Sequence, residues 1–439
     1  MSSASSNKNL PHVVIVGGGF GGLNAAHALA KASVRITLID QRNYHLFRPL
    51  LYQVAAGVLS ADEIAAPLRS ILSRHGNVDV LMDEVTGVDT SNRLVLLKRG
   101  QMSYDFLVLA TGISNNYFGH DDWQKYAPSL QALDDADLIR GRIFSAFETA
   151  ERLAALGEAD ADTIQSLLTF VLVGGGTVGV EMASTMAEMV RMSLADDFRH
   201  IDLRTTQIHL FEAAPRLLSE YPESLSADAQ RHLEKLGVQV HTSARVENVD
   251  ATGVVAVGKH YASRTVLWSA GVLPSPAAHW LGAPTDEHGR VQVEPDFSVP
   301  GHPNVFAIGD TAHVVAPSRN LFGFRRAKPM PLPGVAQPAI QSGQYVAKVI
   351  RNRVKGQPPP KPFWYWDKGE LAIIGRMSAV ADLGFVRFYG LAAWLVWAGV
   401  HIYFLIGFAN RLFVTLQWVI SFLTKRRQVR ILPSYQKQV

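Results

Sequence analysis

Two apolar runs, Val13-Val14-Ile15-Val16 and Phe170-Val171-Leu172-Val173, each end abruptly in glycine. Apolar residues at every position, without alternation, predict strands buried on both faces, as in a parallel sheet. The continuations also match. One is Gly17-Gly18-Gly19-Phe20-Gly21-Gly22 and the other Gly174-Gly175-Gly176-Thr177-Val178-Gly179, each followed by Ala-rich sequence suited to a helix. A second apolar run then closes on an acid, Ile36-Thr37-Leu38-Ile39-Asp40 and Ile208-His209-Leu210-Phe211-Glu212. One design is used twice, and internal repetition of this kind bounds the fold before any single motif does.

Both breaks satisfy G-x-G-x-x-G between a strand and a helix. Gly17 and Gly174 permit the tight turn, Gly19 and Gly176 let the backbone approach a pyrophosphate, and Gly22 and Gly179 let helix and strand pack closely. The helix N-terminus offers unpaired N–H groups and a positive dipole end to phosphate. Asp40 and Glu212 are placed to accept hydrogen bonds from ribose hydroxyls. Asp40 follows Gly17 by 23 residues, near the usual interval, whereas Glu212 follows Gly174 by 38. The excess contains the polar stretch Leu194 to Thr206, read as an insertion or an extended helix. One glycine fingerprint is weak evidence, but two in strand–helix context, each with its acid, are specific.

The parallel continues. Val78 to Val88 and Tyr104 to Gly112 in the first half match Gly237 to Val240 and Val266 to Gly271 in the second. A later run, Val305-Phe306-Ala307-Ile308-Gly309-Asp310, is expected to return to the first sheet. The predicted class is α/β, with two Rossmann-like dinucleotide-binding domains and a C-terminal helical segment that anchors to a membrane.

Over residues 11 to about 350 the chain resembles the flavoprotein disulfide reductase superfamily, and within it the single-subunit, type II NADH:quinone oxidoreductases. Three motifs, in order, carry the closer resemblance: Tyr44-His45-Leu46-Phe47-Arg48-Pro49-Leu50-Leu51-Tyr52-Gln53-Val54-Ala55, Ala336-Gln337-Pro338-Ala339-Ile340-Gln341-Ser342-Gly343, and His401-Ile402-Tyr403-Phe404-Leu405-Ile406-Gly407-Phe408. The resemblance implies non-covalent FAD in a discontinuous domain of residues 1–120 and 299–350. It implies NADH as substrate in 121–298 and a membrane-anchoring domain in 351–439. Gly17, Gly19, Gly22 and Asp40 would hold the ADP half of FAD, Asp310 its ribityl region, and Thr111-Gly112 would close over the flavin. Gly174, Gly176, Gly179 and Glu212 would hold NADH. Glu181 resembles the family acid near nicotinamide and flavin. Tyr44, His45, Phe47, Arg48 and Pro49 are second-tier candidates for the flavin wall.

The helix expected from Ala336 would aim its N-terminus at charge developing on a reduced flavin, with Pro338 tolerated only in its first turn. Gln337 and Gln341 lie four apart on that helix, hence on one face, where neutral amides can bind a quinone carbonyl. Two such glutamines alone describe a solvated face; the family motif favours the quinone. A carboxylate at Glu212 accepts from a 2′-hydroxyl and repels a 2′-phosphate, which favours NADH over NADPH. Arg216 nearby weakens that inference.

Composition narrows the chemistry further. There are no cysteines among 439 residues, which excludes disulfide reduction, thiolate metal sites and sulfide:quinone chemistry. The histidines show no metal-ligand spacing, so no metal is expected. A net charge of +4 without a long basic block gives no reason to expect nucleic acid as a partner. Met1 to Leu10 lacks the apolar core of a secretory signal, which places the expected enzyme on the cytoplasmic face, peripheral or monotopic.

Leu391 to Phe408 is apolar over 18 residues, about 27 Å as a helix against a hydrocarbon layer of roughly 30 Å. Leu412 to Leu423 is shorter. Residues 391–430, ending in Lys425, Arg426, Arg427 and Arg430, therefore suit the bilayer surface, although one spanning helix or a homodimer face also fits. The competing functions are a soluble NAD(P)H-dependent reductase with another acceptor, and a non-catalytic flavin redox sensor.

Overall fold

Each apolar run forms a central strand of a parallel sheet. The computed structural model describes residues 10–194, 197–320, 323–324, 328–384, 386–424 and 431. Contacts divide the chain into two compact units: residues 1–46, 65–114 and 272–368, and residues 47–64, 115–271 and 369–439. These outlines differ from the three expected segments. Residues 272–298 group with the first unit, and 369–439 group with the second rather than standing apart.

In the first unit His12–Val16 lies between Arg35–Asp40 and Phe106–Leu109, parallel to both. Val78–Met82 extends the sheet beyond Arg35–Asp40. His302–Ala307 pairs in parallel with Phe106–Leu109, Val305 opposite Leu107, so the late strand does return to the first sheet. Val13, Val14 and Ile15 have no exposed surface, as their unbroken apolarity requires. The expected Val78 to Val88 strand is two strands. Asp83 N–H donates to Asp40 O and Glu84 N–H to Asp83 Oδ1, which turns the chain. Val85–Asp89 then opens a separate antiparallel sheet with Leu94–Leu97 and Gly100–Ser103.

The second unit repeats this plan. Thr169–Val173 lies between Gln207–Phe211 and Thr265–Trp268, with Val238–His241 outside, all parallel. Val246–Asp250, Gly253–Ala256 and Lys259–Ala262 form its small antiparallel sheet. The long interval before Glu212 is both extension and insertion. Helix Thr177–Glu188 runs on through a π-helical turn, Met189–Ser193, and a 3-10 turn at Leu203–Thr205 precedes the next strand.

A sheet not anticipated from the sequence, Glu370–Gly375, Ser378–Asp382 and Arg387–Gly390, precedes the C-terminal helices of the second unit. The helices are Leu391–Phe404 and Phe408–Thr424. The first stops short of Phe408 because Leu405 is extended and Gly407 adopts φ +91°. Among the described residues, no helix is long and apolar enough to cross a membrane. The N-terminal residues 1–9 and the basic Lys425, Arg426, Arg427 and Arg430 lie outside the described residues.

Candidate functional site

The two glycine loops share one geometry. Gly17 and Gly174 adopt φ +104° and +110°, and a Cβ at either would collide with backbone, at Ala110 in the first loop and at Ser269 and Ala270 in the second. A Cβ at Gly22 would strike the Gly17 carbonyl, and one at Gly179 the Gly174 carbonyl, so the third glycines set the close helix–strand approach. Among the described residues, a Cβ at Gly19 or Gly176 would meet nothing within 4 Å. The second glycine of each fingerprint therefore faces open space, which is what a backbone cradle for a pyrophosphate needs.

The acids organise these loops. Asp40 Oδ2 accepts Gly18 N–H at 2.6 Å and Oδ1 accepts Arg42 N–H at 2.8 Å. Glu212 repeats the arrangement, with Oε2 on Gly175 N–H at 2.6 Å and Oε1 on Ala214 N–H at 2.7 Å. Each carboxylate oxygen keeps a second lone pair for a ribose hydroxyl. Burial raises the Asp40 carboxyl above its usual range, while the Gly18 and Arg42 N–H groups oppose the shift. The Glu212 loop is closed by Arg216, whose Nη1 donates to Tyr221 O at 2.6 Å and whose Nη2 donates to Ser219 O at 2.6 Å. Arg216 is thus turned onto its own backbone.

Elsewhere in the first unit Thr111, Ser275 and Thr311 join their hydroxyls, and Thr311 Oγ1 accepts Gly112 N–H at 2.9 Å. That network fixes Thr111-Gly112 beside the turn carrying Asp310. Helix Ala336–Val354 begins where expected, with Pro338 in its first turn. The two glutamines on it differ. Gln337 has a buried carboxamide oxygen with no partner among the described residues. Gln341 clamps one residue, donating to Trp366 O and accepting Trp366 N–H, both at 2.9 Å.

In the second unit Glu181 is 5% exposed, and its Oε1 accepts Ile373 N–H at 3.2 Å under the unanticipated sheet. Burial pushes its carboxyl up to about 8. A cavity of about 110 Å³ in this unit is lined by Gln53, Glu188, Arg376, Trp397 and Trp418, among others. Trp418 Nε1 donates to Gln53 Oε1 at 2.8 Å, while Trp397 Nε1 is buried without a partner among the described residues. The sequence singles out Glu181, which does not line this cavity, and gives no site role to Glu188, Trp397 or Gln53, which do. Their signal was only an Ala-rich helix, a tryptophan-rich helix and a motif read as cofactor wall.

Comparison with known proteins agrees with this construction. The pyridine nucleotide-disulphide oxidoreductase family model matches residues 11–374, and the NDH2 C-terminal domain model matches 367–427. Type II NADH:quinone oxidoreductase Ndh of Mycobacterium tuberculosis is 42% identical over 430 residues, covering 94% of this chain and 89% of that protein. Its paralogue NdhA is 42% identical over 432 residues, covering 94% and 88%. The structure of Plasmodium falciparum NDH2 in complex with NADH shares the fold, with TM-score 0.82 at 21% identity over 95% of this chain and 99% of that one. The chain belongs to the type II NADH:quinone oxidoreductases.

Proposed function

We propose that this chain oxidises NADH through non-covalent FAD and delivers two electrons to a membrane quinone without moving protons across the membrane. FAD lies in the first unit and NADH binds in the second. The observation that carries this reading is the duplicated loop, in which an acid holds the middle glycine and the next glycine stands open. The first loop fits the ADP half of FAD through Gly17, Gly19, Gly22 and Asp40, with Asp310 and Thr111-Gly112 for the rest. Gln337, whose buried carboxamide oxygen has no partner among the described residues, is a further candidate to meet such a group. Gly174, Gly176, Gly179 and Glu212 serve NADH.

Bound FAD supplies the ring that takes a hydride from NADH and returns two electrons to the acceptor. The residues orient and protonate. Converting NADH and quinone to NAD⁺ and quinol takes up one proton, and Glu181, held near 8, carries a proton at neutral pH. The start of helix Ala336–Val354 directs its positive dipole end to developing negative charge. Gln337 and Gln341 bind the quinone without introducing a charge. The C-terminal helices expose Leu395, Tyr403, Phe408 and Phe413, a surface suited to lie in the bilayer interface on the cytoplasmic face, where a lipid-soluble quinone arrives.

Anaerobic stopped-flow tests the reading: NADH bleaches the flavin, then a short-chain quinone is added. Fast bleaching with fast quinone-dependent recovery is expected. Bleaching without recovery would remove the quinone as acceptor, and no bleaching would leave a flavin-binding sensor.

A further inference from the structure

His45 is 2% exposed and sits against the first glycine loop. Its Nδ1 lies 2.9 Å from the Gly18 carbonyl oxygen, and its ring meets Phe20 edge-on at 5.1 Å. A carbonyl only accepts, so Nδ1 carries the hydrogen and donates it. Burial holds the imidazole down at about 4, so the ring is neutral and Nε2 is a bare acceptor. That Nε2 is buried without a partner among the described residues. A position kept for packing alone gains nothing from such an atom, because leaving a buried acceptor unsatisfied costs stability.

The second loop explains the arrangement. There the equivalent carbonyl, Gly175 O, accepts the backbone N–H of Leu218 at 2.8 Å. Leu218 has φ +48°, a conformation a leucine rarely adopts, and the Arg216 clasp holds the turn around it. In both loops the middle glycine is therefore held twice, by an acid at its N–H and by a donor at its C=O. The peptide is planar and trans, so fixing the Gly18 carbonyl directs the Gly19 N–H to the opposite side, away from His45. Gly19 is the glycine with open space at its Cβ position.

We infer that His45 is a positioning residue for the cofactor. Its Nδ1–H fixes the Gly18–Gly19 peptide, as Leu218 N–H fixes the Gly175–Gly176 peptide, so that the Gly19 N–H is presented to the pyrophosphate of a dinucleotide. This rests on the reading that places FAD in the first unit. His45 need not touch the flavin, which distinguishes this role from a place in the flavin wall.

The test uses the full-length holoprotein and follows flavin release on dilution by the recovery of FAD fluorescence. His45→Leu fills the position and removes both nitrogens. His45→Asn keeps a donor where Nδ1 stood. His45→Leu is expected to weaken FAD about tenfold, the scale of one hydrogen bond to an anion-binding loop, and to lower the melting temperature of the flavin-stripped chain by no more than the loss of its one bond to the Gly18 carbonyl. His45→Asn should restore most of the affinity. Unchanged FAD retention in His45→Leu overturns the inference, as does an Asn variant no better than Leu. A flavin-stripped His45→Leu chain that is already unfolded at the temperature of the assay assigns His45 a structural role instead. Gly19→Val separates this failure from that of the underlying reading, since it puts a side chain into the space the cofactor would fill, where a Cβ meets no described atom within 4 Å. If Gly19→Val also leaves FAD retention unchanged, FAD does not occupy the first loop. If it abolishes retention while His45→Leu does not, only the inference about His45 fails.

Discussion

Glu181 accepts the backbone N–H of Ile373 at 3.2 Å, so a carboxyl on the second fingerprint helix caps an unpaired edge of the C-terminal sheet. Glu188, two helical turns further on, accepts Arg376 N–H in the turn that joins the first two strands of that sheet. The C-terminal sheet is thus docked onto the dinucleotide-binding helix through two acids.

Burial of Glu181 has a measurable pH signature. Its carboxyl is raised from an ordinary 4.5 to about 8. Below 4.5 the folded and unfolded chains both hold the proton, and its burial costs nothing through ionisation. Between 4.5 and 8 only the folded chain keeps it, so stability falls as pH rises; above 8 the loss is complete. Glu181→Gln removes the titration. Melting temperatures from pH 5 to 9 should show the variant gaining on the parent up to about pH 8 and levelling beyond. A difference independent of pH would mean that Glu181 titrates normally.

The two glutamines of helix Ala336–Val354 should separate by stability. Gln341→Ala strips both partners from Trp366, two hydrogen bonds worth about 1–2 kcal/mol together at a half-exposed site. Its melting temperature should fall. Gln337→Ala removes an atom that has no partner among the described residues and should melt with the parent. On the proposed function both slow quinone-dependent flavin recovery, with bleaching by NADH preserved. If Gln337→Ala recovers at the parental rate, the quinone carbonyl is held elsewhere.

The duplicated sheets were legible because a strand buried on both faces is apolar at most positions, without alternation, and a glycine fingerprint has no freedom in its spacing. The return of His302–Ala307 was legible for the same reason. The C-terminal sheet was not. Gly375 and Gly390 interrupt its sequence, and the carboxylates that accept from its first strand and the turn after it lie almost two hundred residues earlier. His45 was visible only as one residue of an aromatic motif. Its contact with Gly18 depends on the antiparallel pairing of Tyr44–Leu46 with Ala65–Pro67, which has too few residues to show a period. The amide clamp of Gln341 on Trp366 likewise leaves no trace in spacing.

Arg216 should not confer use of NADPH. Its guanidinium already donates to the carbonyls of Ser219 and Tyr221, while Glu212 remains directed at the loop. Replacing Arg216 by alanine should therefore raise KM for NADH by loosening the turn at Leu218. The ratio of kcat/KM for NADPH to that for NADH should stay within a factor of about two, because the repelling carboxylate is untouched. A tenfold drop in that ratio would show Arg216 to be a 2′-phosphate ligand after all.

The C-terminal helices expose Tyr403 at 70%, Phe408 at 83% and Phe413 at 56%. Single exposed apolar residues are ordinary, but several together on one pair of helices mark a surface that is covered in use. Burying each in lipid is worth roughly 1.5–3 kcal/mol. Replacing all three by aspartate should therefore weaken co-sedimentation with vesicles at least about a hundredfold, while a water-soluble quinone analogue is still reduced. Anionic vesicles should bind the parent more tightly than zwitterionic ones, and added salt should remove the difference, if Lys425, Arg426, Arg427 and Arg430 face the headgroups. Should the triple variant instead dissociate a dimer and leave vesicle binding intact, the exposed face is an interface between two copies of the chain, and the bilayer is met by another surface.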